Sequence, residues 1–257
     1  MKIRLLCENE ATDMVWLAEW GFSAFIEHNG SRVLFDTGFS DVYQRNAEHA
    51  GIDLETADAV AISHFHRDHT RGLLYHRFKT RKKLVLHPRV LSAVLKTDEE
   101  GIKKDYANIH AVIAEDFEVV ASEAALEFLP GAFFLGEVPR ATPFESGCFE
   151  DDPMIDDTAL AFRTDRGAVV VSGCSHAGIC NICEHAKTVT GQKLYAVLGG
   201  FHLMSAENPP VEATIQYFKD EAPDVLLPMH CVDFEYLARF HQEFGMKKYG
   251  AGDLIEL

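Results

Sequence analysis

Ser63-His64-Phe65-His66-Arg67-Asp68-His69-Thr70 places three histidines and a carboxylate within six positions, directly after the apolar run Ala59-Val60-Ala61-Ile62. A lone histidine is ordinarily a core or surface residue, but this density is not ordinary. Imidazole and carboxylate suit zinc, manganese or iron(II), and four such groups on one turn either share a cation or strand buried polar atoms. The spacing also supplies a geometry. At an extended strand end, side chains at i and i+2 point the same way, so His64 and His66 pinch one cation while Phe65 turns toward the core. If the chain then enters a helical turn, Asp68 and His69 swing to the other side, where they would hold a second ion, as two-metal hydrolytic sites require.

Two ions need more ligands, and three further histidines sit in one recurring context. Each of Val169-Val170-Val171-Ser172-Gly173-Cys174-Ser175-His176, Ala196-Val197-Leu198-Gly199-Gly200-Phe201-His202 and Val225-Leu226-Leu227-Pro228-Met229-His230 is a short apolar run, a small or turn-forming link, then a histidine just past the strand end. Loops gathered at strand ends are where catalytic groups converge, so the repetition predicts one composite site built from four segments.

These motifs are joined by Glu19-Trp20-Gly21-Phe22-Ser23, Leu34-Phe35-Asp36-Thr37-Gly38, Pro139-Arg140, Gly173 to Ile179, Gly199 to Leu203, and Pro228-Met229-His230-Cys231. Over nearly its whole length the chain resembles the metallo-β-lactamase-fold metallohydrolases. Within them it is similar to the dihydropteroate-synthase-like branch, that of 7,8-dihydropterin-6-methyl-4-(β-D-ribofuranosyl)aminobenzene-5'-phosphate synthase-like proteins. The resemblance implies an α/β fold, a four-layer αββα sandwich of two mixed β-sheets flanked by helices. It implies two divalent metal ions, zinc before manganese or iron, with His64, His66 and His176 on one and Asp68, His69 and His230 on the other. Asp36 would stand behind the ligands and orient them. The fourth motif departs from many relatives, which place a metal-bridging aspartate there, whereas this chain has His202, as a ligand or as a proton donor. Diiron relatives that reduce oxygen or nitric oxide carry a glutamate where His66 stands, so His66 favours hydrolytic or other redox-neutral chemistry.

The reaction expected is hydrolysis of a small ester or phosphoester, anionic or phosphorylated, by a metal-activated hydroxide, with Asp68 or His202 managing the proton. Two other classes stay open. One is a transferase that binds a dihydropterin and couples it to a ribofuranosylaminobenzene phosphate; the other is a non-catalytic metal or ligand sensor. Arg67, inside the metal motif, and Arg140 are the candidates for an anionic substrate group. The basic island Arg77, Lys79, Arg81, Lys82, Lys83 reads as a solvated strand or turn, with a collar for phosphate as the sharper alternative.

Composition bounds the rest. With 257 residues, 47% hydrophobic and 25% charged, the chain is large enough for one well-filled core, and no linker or repeat divides it. We therefore expect one domain, 1–257, with a variable lid or edge segment at about 96–152. The net charge of -16 repels polyanions, which argues against nucleic acid and for a small-molecule substrate. Neither a signal peptide nor a membrane span is visible, so a cytoplasmic protein without membrane association is expected. A homo-oligomer is allowed and not required. The six cysteines show no disulfide framework; Cys174 and Cys231 read as packing, and Cys180-x-x-Cys183 shares a helix face, a lone pair that is only a weak signal for a redox pair or an extra metal.

The pattern also predicts a β-hairpin turning at residues 28–31, helices at 41–50, 89–95, 181–190, 210–220 and 234–244, and strands at 1–7, 23–28, 32–35, 59–62, 159–163, 168–172, 194–198 and 225–227. Asp156 and Asp157 read as turn residues that can also touch the site. Of thirteen histidines, His28, His49, His76, His87, His110, His185 and His241 lack a partner at ligand spacing and read as surface or structural.

Overall fold

Asn29 and Gly30 both take positive φ, 49° and 78°, the backbone of a two-residue type I′ turn. The turn folds its flanking runs into an antiparallel hairpin in which His28 faces Ser31. The structure is a computed structural model and describes residues 1–149, 151–204 and 209–257.

The chain forms two compact units, Met1–Glu123 with Gly250–Leu257, and Ala124–Tyr249. The first holds β1 (Lys2–Cys7), β2 (Ser23–His28), β3 (Ser31–Phe35), α1 (Val42–His49), β4 (Ala59–Ala61), α2 (Arg67–Thr70), β5 (Lys82–Leu86), α3 (Glu100–Asp116) and β6 (Phe117–Ala121). The second holds β7 (Leu126–Leu129), β8 (Ala132–Phe134), β9 (Ala159–Arg163), β10 (Ala168–Ser172), α4 (Ile179–Thr190), β11 (Leu194–Gly200), α5 (Val211–Glu221), β12 (Val225–Met229) and α6 (Phe234–Phe244). The chain then returns to the first unit as β13 (Leu254–Glu256).

Each unit carries one mixed sheet flanked by helices. In the first the order is β13-β1-β2-β3-β4-β5-β6, antiparallel as far as β3 and parallel from there. In the second it is β12-β11-β10-β9-β8-β7, with the first three strands parallel and the rest antiparallel. The apolar runs that precede the histidine motifs, β4, β10, β11 and β12, are all parallel-paired strands. Every residue of β4 and β10 is buried, the continuous apolar pattern of strands covered on both faces. Short, fully buried strands leave their following loops at one edge, and those loops carry the chemistry.

Two sequence expectations change. Residues 89–95 do not form an α-helix; only Pro88–Leu91 turns, as a 3-10 helix begun by the His87 ring accepting from the Arg89 N–H. Leu91 and Val94 are exposed at 37% and 50%, so no buried stripe rewards continuing the turn. The segment 96–152 contains the edge strands β6 and β7 and also the helix α3, which was not expected. Tyr106, Ile109, Val112 and Ile113 form its buried stripe. Among the described residues no helix is long and apolar enough to cross a membrane.

Candidate metal centre

In the first unit the site begins where β4 ends. The Ile62 N–H still bonds the Val85 carbonyl at 3.0 Å, and then the chain leaves the sheet. His66 is the last extended residue, at φ -60° and ψ 146°, and caps the short helix α2. The helical turn after His66 is thus present. Phe65 is buried and its ring lies 6.0 Å from that of Tyr106. The rings of His64 and His66 are 4.7 Å apart and those of His64 and His69 4.2 Å. His64 and His69 are fully buried, and the Asp68 carboxylate lies 3.6 Å from Nε2 of His69.

A hydrogen-bonded chain behind these rings sets their tautomers. Asp36 accepts the Ser63 N–H and the Ser63 hydroxyl, both at 2.7 Å, and Nδ1 of His69, also at 2.7 Å. An ionised carboxylate only accepts, so His69 donates from Nδ1 and keeps its lone pair on Nε2. The Ser63 hydroxyl, having given its proton to Asp36, accepts from Nδ1 of His64 at 2.9 Å, which leaves the His64 lone pair on Nε2 as well. One buried aspartate thus fixes the orientation of both imidazoles.

The Asp36 loop is itself pinned. The Thr37 N–H and hydroxyl both bond the His69 carbonyl, at 2.9 and 3.0 Å. Gly72 packs so tightly here that a Cβ would lie 1.9 Å from the Thr37 oxygen. Glu19 holds the other end, accepting from the N–H groups of Phe39 and Ser40 at 2.9 and 2.8 Å. The side chains of Arg67 and Arg71 both donate to the same Asp105 oxygen at 2.9 Å. Burial alone would raise the Asp105 carboxyl, but the bonds from Arg71 and Arg67 hold it below its ordinary value. Arg67 therefore anchors α2 to α3. The basic island bonds structural partners: Arg77 bonds Asp116, Arg81 the Phe117 carbonyl, and Lys82 the Glu55 carbonyl.

In the second unit three adjacent parallel strands each end in a histidine loop. His176 and His202 meet with ring centroids 4.0 Å apart, and Phe149 presents its ring to both, at 5.2 and 5.9 Å. The loops after β11 and β12 stay paired beyond the strands through Leu203 and Val232, which carries His230 alongside. Ser175, His202 and His230 all adopt positive φ, 69°, 49° and 51°. Left-handed backbone in non-glycine residues is costly and gathers at functional sites.

Asp157 is fully buried and accepts the Ala177 N–H at 2.8 Å, next to His176. Burial pushes its carboxyl up to about 7, against the lowering bond from Ala177; Asp156 adds to the rise, and His202 and Arg140 oppose it. Glu145 accepts the first free N–H groups of α4, from Cys180 at 3.0 Å and Asn181 at 2.8 Å. Arg140 donates to the carbonyls of Val138, Gly147, Pro153 and Met154 at 2.6 to 3.3 Å, so it clamps the loop that carries Phe149. A cavity of about 360 Å³ opens here, with Phe144, Glu145, Cys148, His176, Phe201 and His202 in its wall.

Cys180 and Cys183 share a face of α4 inside the apolar core, and burial raises both thiols. His185 and His241 bond the carbonyls of Leu135 and Met246, and His87 caps its 3-10 turn, all structural roles. His110 lies on α3 beside Tyr106, where burial lowers its pKa. Ser63 and the burial of Asp157 were not anticipated, because both depend on partners at least 20 residues away.

The donor set fits a divalent transition ion. Ligand atoms of His64 and His66, and likewise of Asp68 and His69, lie within 4.8 Å of each other, and Asp36 and Ser63 aim the lone pairs of His64 and His69.

Comparison with known proteins agrees. The chain is 29% identical to 7,8-dihydropterin-6-methyl-4-(beta-D-ribofuranosyl)-aminobenzene-5'-phosphate synthase of Methanocaldococcus jannaschii over 257 residues, covering 90% of this chain and 87% of that one. An uncharacterised protein of the same archaeon is also 29% identical, covering 93% and 94%. A crystal structure of a metal-dependent hydrolase of the beta-lactamase superfamily superposes with a TM-score of 0.83 at 28% identity, covering 100% of this chain and 99% of the other. Zn(2+)-bound PqqB from Methylobacterium extorquens shares the fold at a TM-score of 0.59 and 14% identity, with both chains covered completely. Residues 21–180 match the Metallo-beta-lactamase superfamily, and with two mixed sheets flanked by helices and the His64 to His69 cluster in place, this chain belongs to that superfamily.

Proposed function

We propose that the chain is a metal-dependent hydrolase of a small, anionic or phosphorylated ester or phosphoester, working with two divalent ions, zinc before manganese or iron. The observation that carries this reading is the relay from Asp36 through Ser63 to His64 and directly to His69, which prepares two imidazole lone pairs in a buried cluster. In the proposed assignment His64, His66 and His176 hold one ion and Asp68, His69 and His230 the other, with His202 as a further ligand or proton donor. Ions held there supply Lewis acidity and a water whose pKa falls toward about 7.

The chain's own residues do the rest. Asp36 and Ser63 keep the rings from turning. Asp68, 19% exposed at its side chain, takes the proton of the attacking water, and His202, opening on the cavity, gives one to the leaving group. The net charge of -16 favours a small molecule over a polyanion. Six free cysteines suit a reducing, cytoplasmic setting.

A second reading is a transferase that binds a reduced pterin. It is favoured by 29% identity to the pterin-linked synthase across 90% of this chain. One experiment separates the two: metal-loaded protein is assayed against phosphoesters, lactones and thioesters, and in parallel for binding of a reduced pterin. Turnover that is lost in His66→Ala supports the hydrolase. Tight pterin binding with no ester turnover supports the transferase, and inertness in both arms with metal bound would leave a sensor.

A further inference from the structure

We infer that Cys174, His202 and Cys231 form a sulfur-rich cation site in the second unit, one that takes a soft divalent ion such as zinc. The inference deepens the proposed metal centre, taking His202 as a ligand in place of a proton donor, and rests on that centre for the presence of the ion. Each of the three residues lies two positions beyond the end of one strand: Cys174 after β10, His202 after β11 and Cys231 after β12. These strands are adjacent and parallel, with Ser172 opposite Gly199 and Gly200 opposite Met229. The topology therefore delivers two thiols and an imidazole side by side, and their ligand atoms lie within 4.8 Å of one another.

The surroundings of the Cys231 sulfur are those of a thiolate ligand. It accepts the His202 backbone N–H at 3.3 Å and donates to the Cys174 carbonyl at 3.3 Å. Coordination would release the thiol proton to solvent, ending the second bond and keeping the first, and an N–H pointing at sulfur stabilises a bound thiolate. Gly200 permits this close approach of the loops: a Cβ there would lie 2.2 Å from the Gly173 oxygen and 2.9 Å from both the Cys231 sulfur and the Cys174 Cα. The other cysteine pair, Cys180 and Cys183, sits in the apolar core. His202 is only half-buried and faces the 360 Å³ cavity, which gives an ion a way in.

The arrangement has a chemical logic. A neutral imidazole at 202 brings no negative charge, and two thiolates would supply it. Two cysteines and one histidine also leave a tetrahedral ion one open position, the ligand pattern of some catalytic zinc sites. Sulfur would exclude manganese and magnesium from this position while admitting zinc.

X-ray absorption at the zinc edge of the intact, zinc-loaded protein tests this without any substitution. The expected spectrum contains a sulfur shell at about 2.3 Å beside nitrogen and oxygen at about 2.0–2.1 Å. A second measurement uses cobalt(II): a thiolate-to-cobalt charge-transfer band is expected in the wild type, lost in the Cys174→Ser, Cys231→Ser double variant and unchanged in Cys183→Ser. Zinc bound with only nitrogen and oxygen neighbours overturns the sulfur site and leaves the proposed metal centre standing. A charge-transfer band that disappears with Cys183→Ser instead also overturns it. Protein that binds neither ion overturns both readings.

Discussion

Nδ1 of His69 lies 2.7 Å from Oδ2 of Asp36, with both side chains fully buried. Thirty-three residues separate them in the chain, yet this contact decides which nitrogen of His69 can hold an ion. Asp36→Asn would offer an amide that can donate as well as accept, letting His69 present the wrong tautomer. Metal affinity should fall about 10–100-fold, read by competition with a chromophoric chelator, while the secondary structure by circular dichroism stays intact. Unchanged affinity would mean that Asp36 serves packing only.

The Asp105 bridge to Arg67 and Arg71 makes a pH prediction. The folded-state pKa of Asp105 is held below its ordinary value. Its contribution to stability is therefore present above the unfolded-state pKa of about 4 and is lost as pH falls through the lower folded value. Urea unfolding should show Asp105→Asn less stable than wild type by about 1 kcal/mol at pH 7. The gap should close as both proteins are taken well below pH 4, and a gap that widens there has the wrong sign for this bridge.

Arg140 separates a clamp from a substrate contact. Its guanidinium serves four carbonyls of the loop between Val138 and Met154, and since Arg140 is exposed these bonds contribute about 0.5–1.5 kcal/mol each. Arg140→Ala should lower the unfolding temperature by several degrees and make this loop sensitive to protease. A variant of unchanged stability with a raised KM for an anionic substrate would return Arg140 to the substrate.

Gly72 offers a purely steric check. An added Cβ would stand 1.9 Å from the Thr37 oxygen, so Gly72→Ala must push apart the loop that holds Asp36 and the helix that holds His69. A loss of at least about 1–3 kcal/mol in denaturant unfolding is expected, together with weaker metal binding. Retained stability would show that the two segments separate freely.

Legibility from sequence divides along local and long-range lines. The hairpin at Asn29-Gly30, the helix Phe234–Phe244 and the strand-to-helix switch at His66 are encoded within a few residues, and each stands where expected. Helix α3 escaped because its buried stripe, Tyr106 to Ile113, is diluted by Lys103, Lys104, Asn108 and His110. Residues 89–95 erred the other way, with helical spacing but apolar side chains left at the surface. In the candidate site the histidine and carboxylate cluster was legible because its residue types and spacing are rare. What orients them was only partly so. Asp36 entered through the family resemblance, whereas Ser63, Asp157 and the adjacency of Cys174 to Cys231 arise from strands brought together by the fold, and no local pattern marks them.

The central claim is that the His64 to His69 motif belongs to a two-ion centre, and the metal content of untagged protein purified without chelators tests it most directly. Elemental mass spectrometry should find at least two zinc, manganese or iron ions per chain, with a large loss in His66→Ala. A wild-type chain that holds no ion after incubation with zinc, or a His66→Ala chain that holds as much as the wild type, would contradict it.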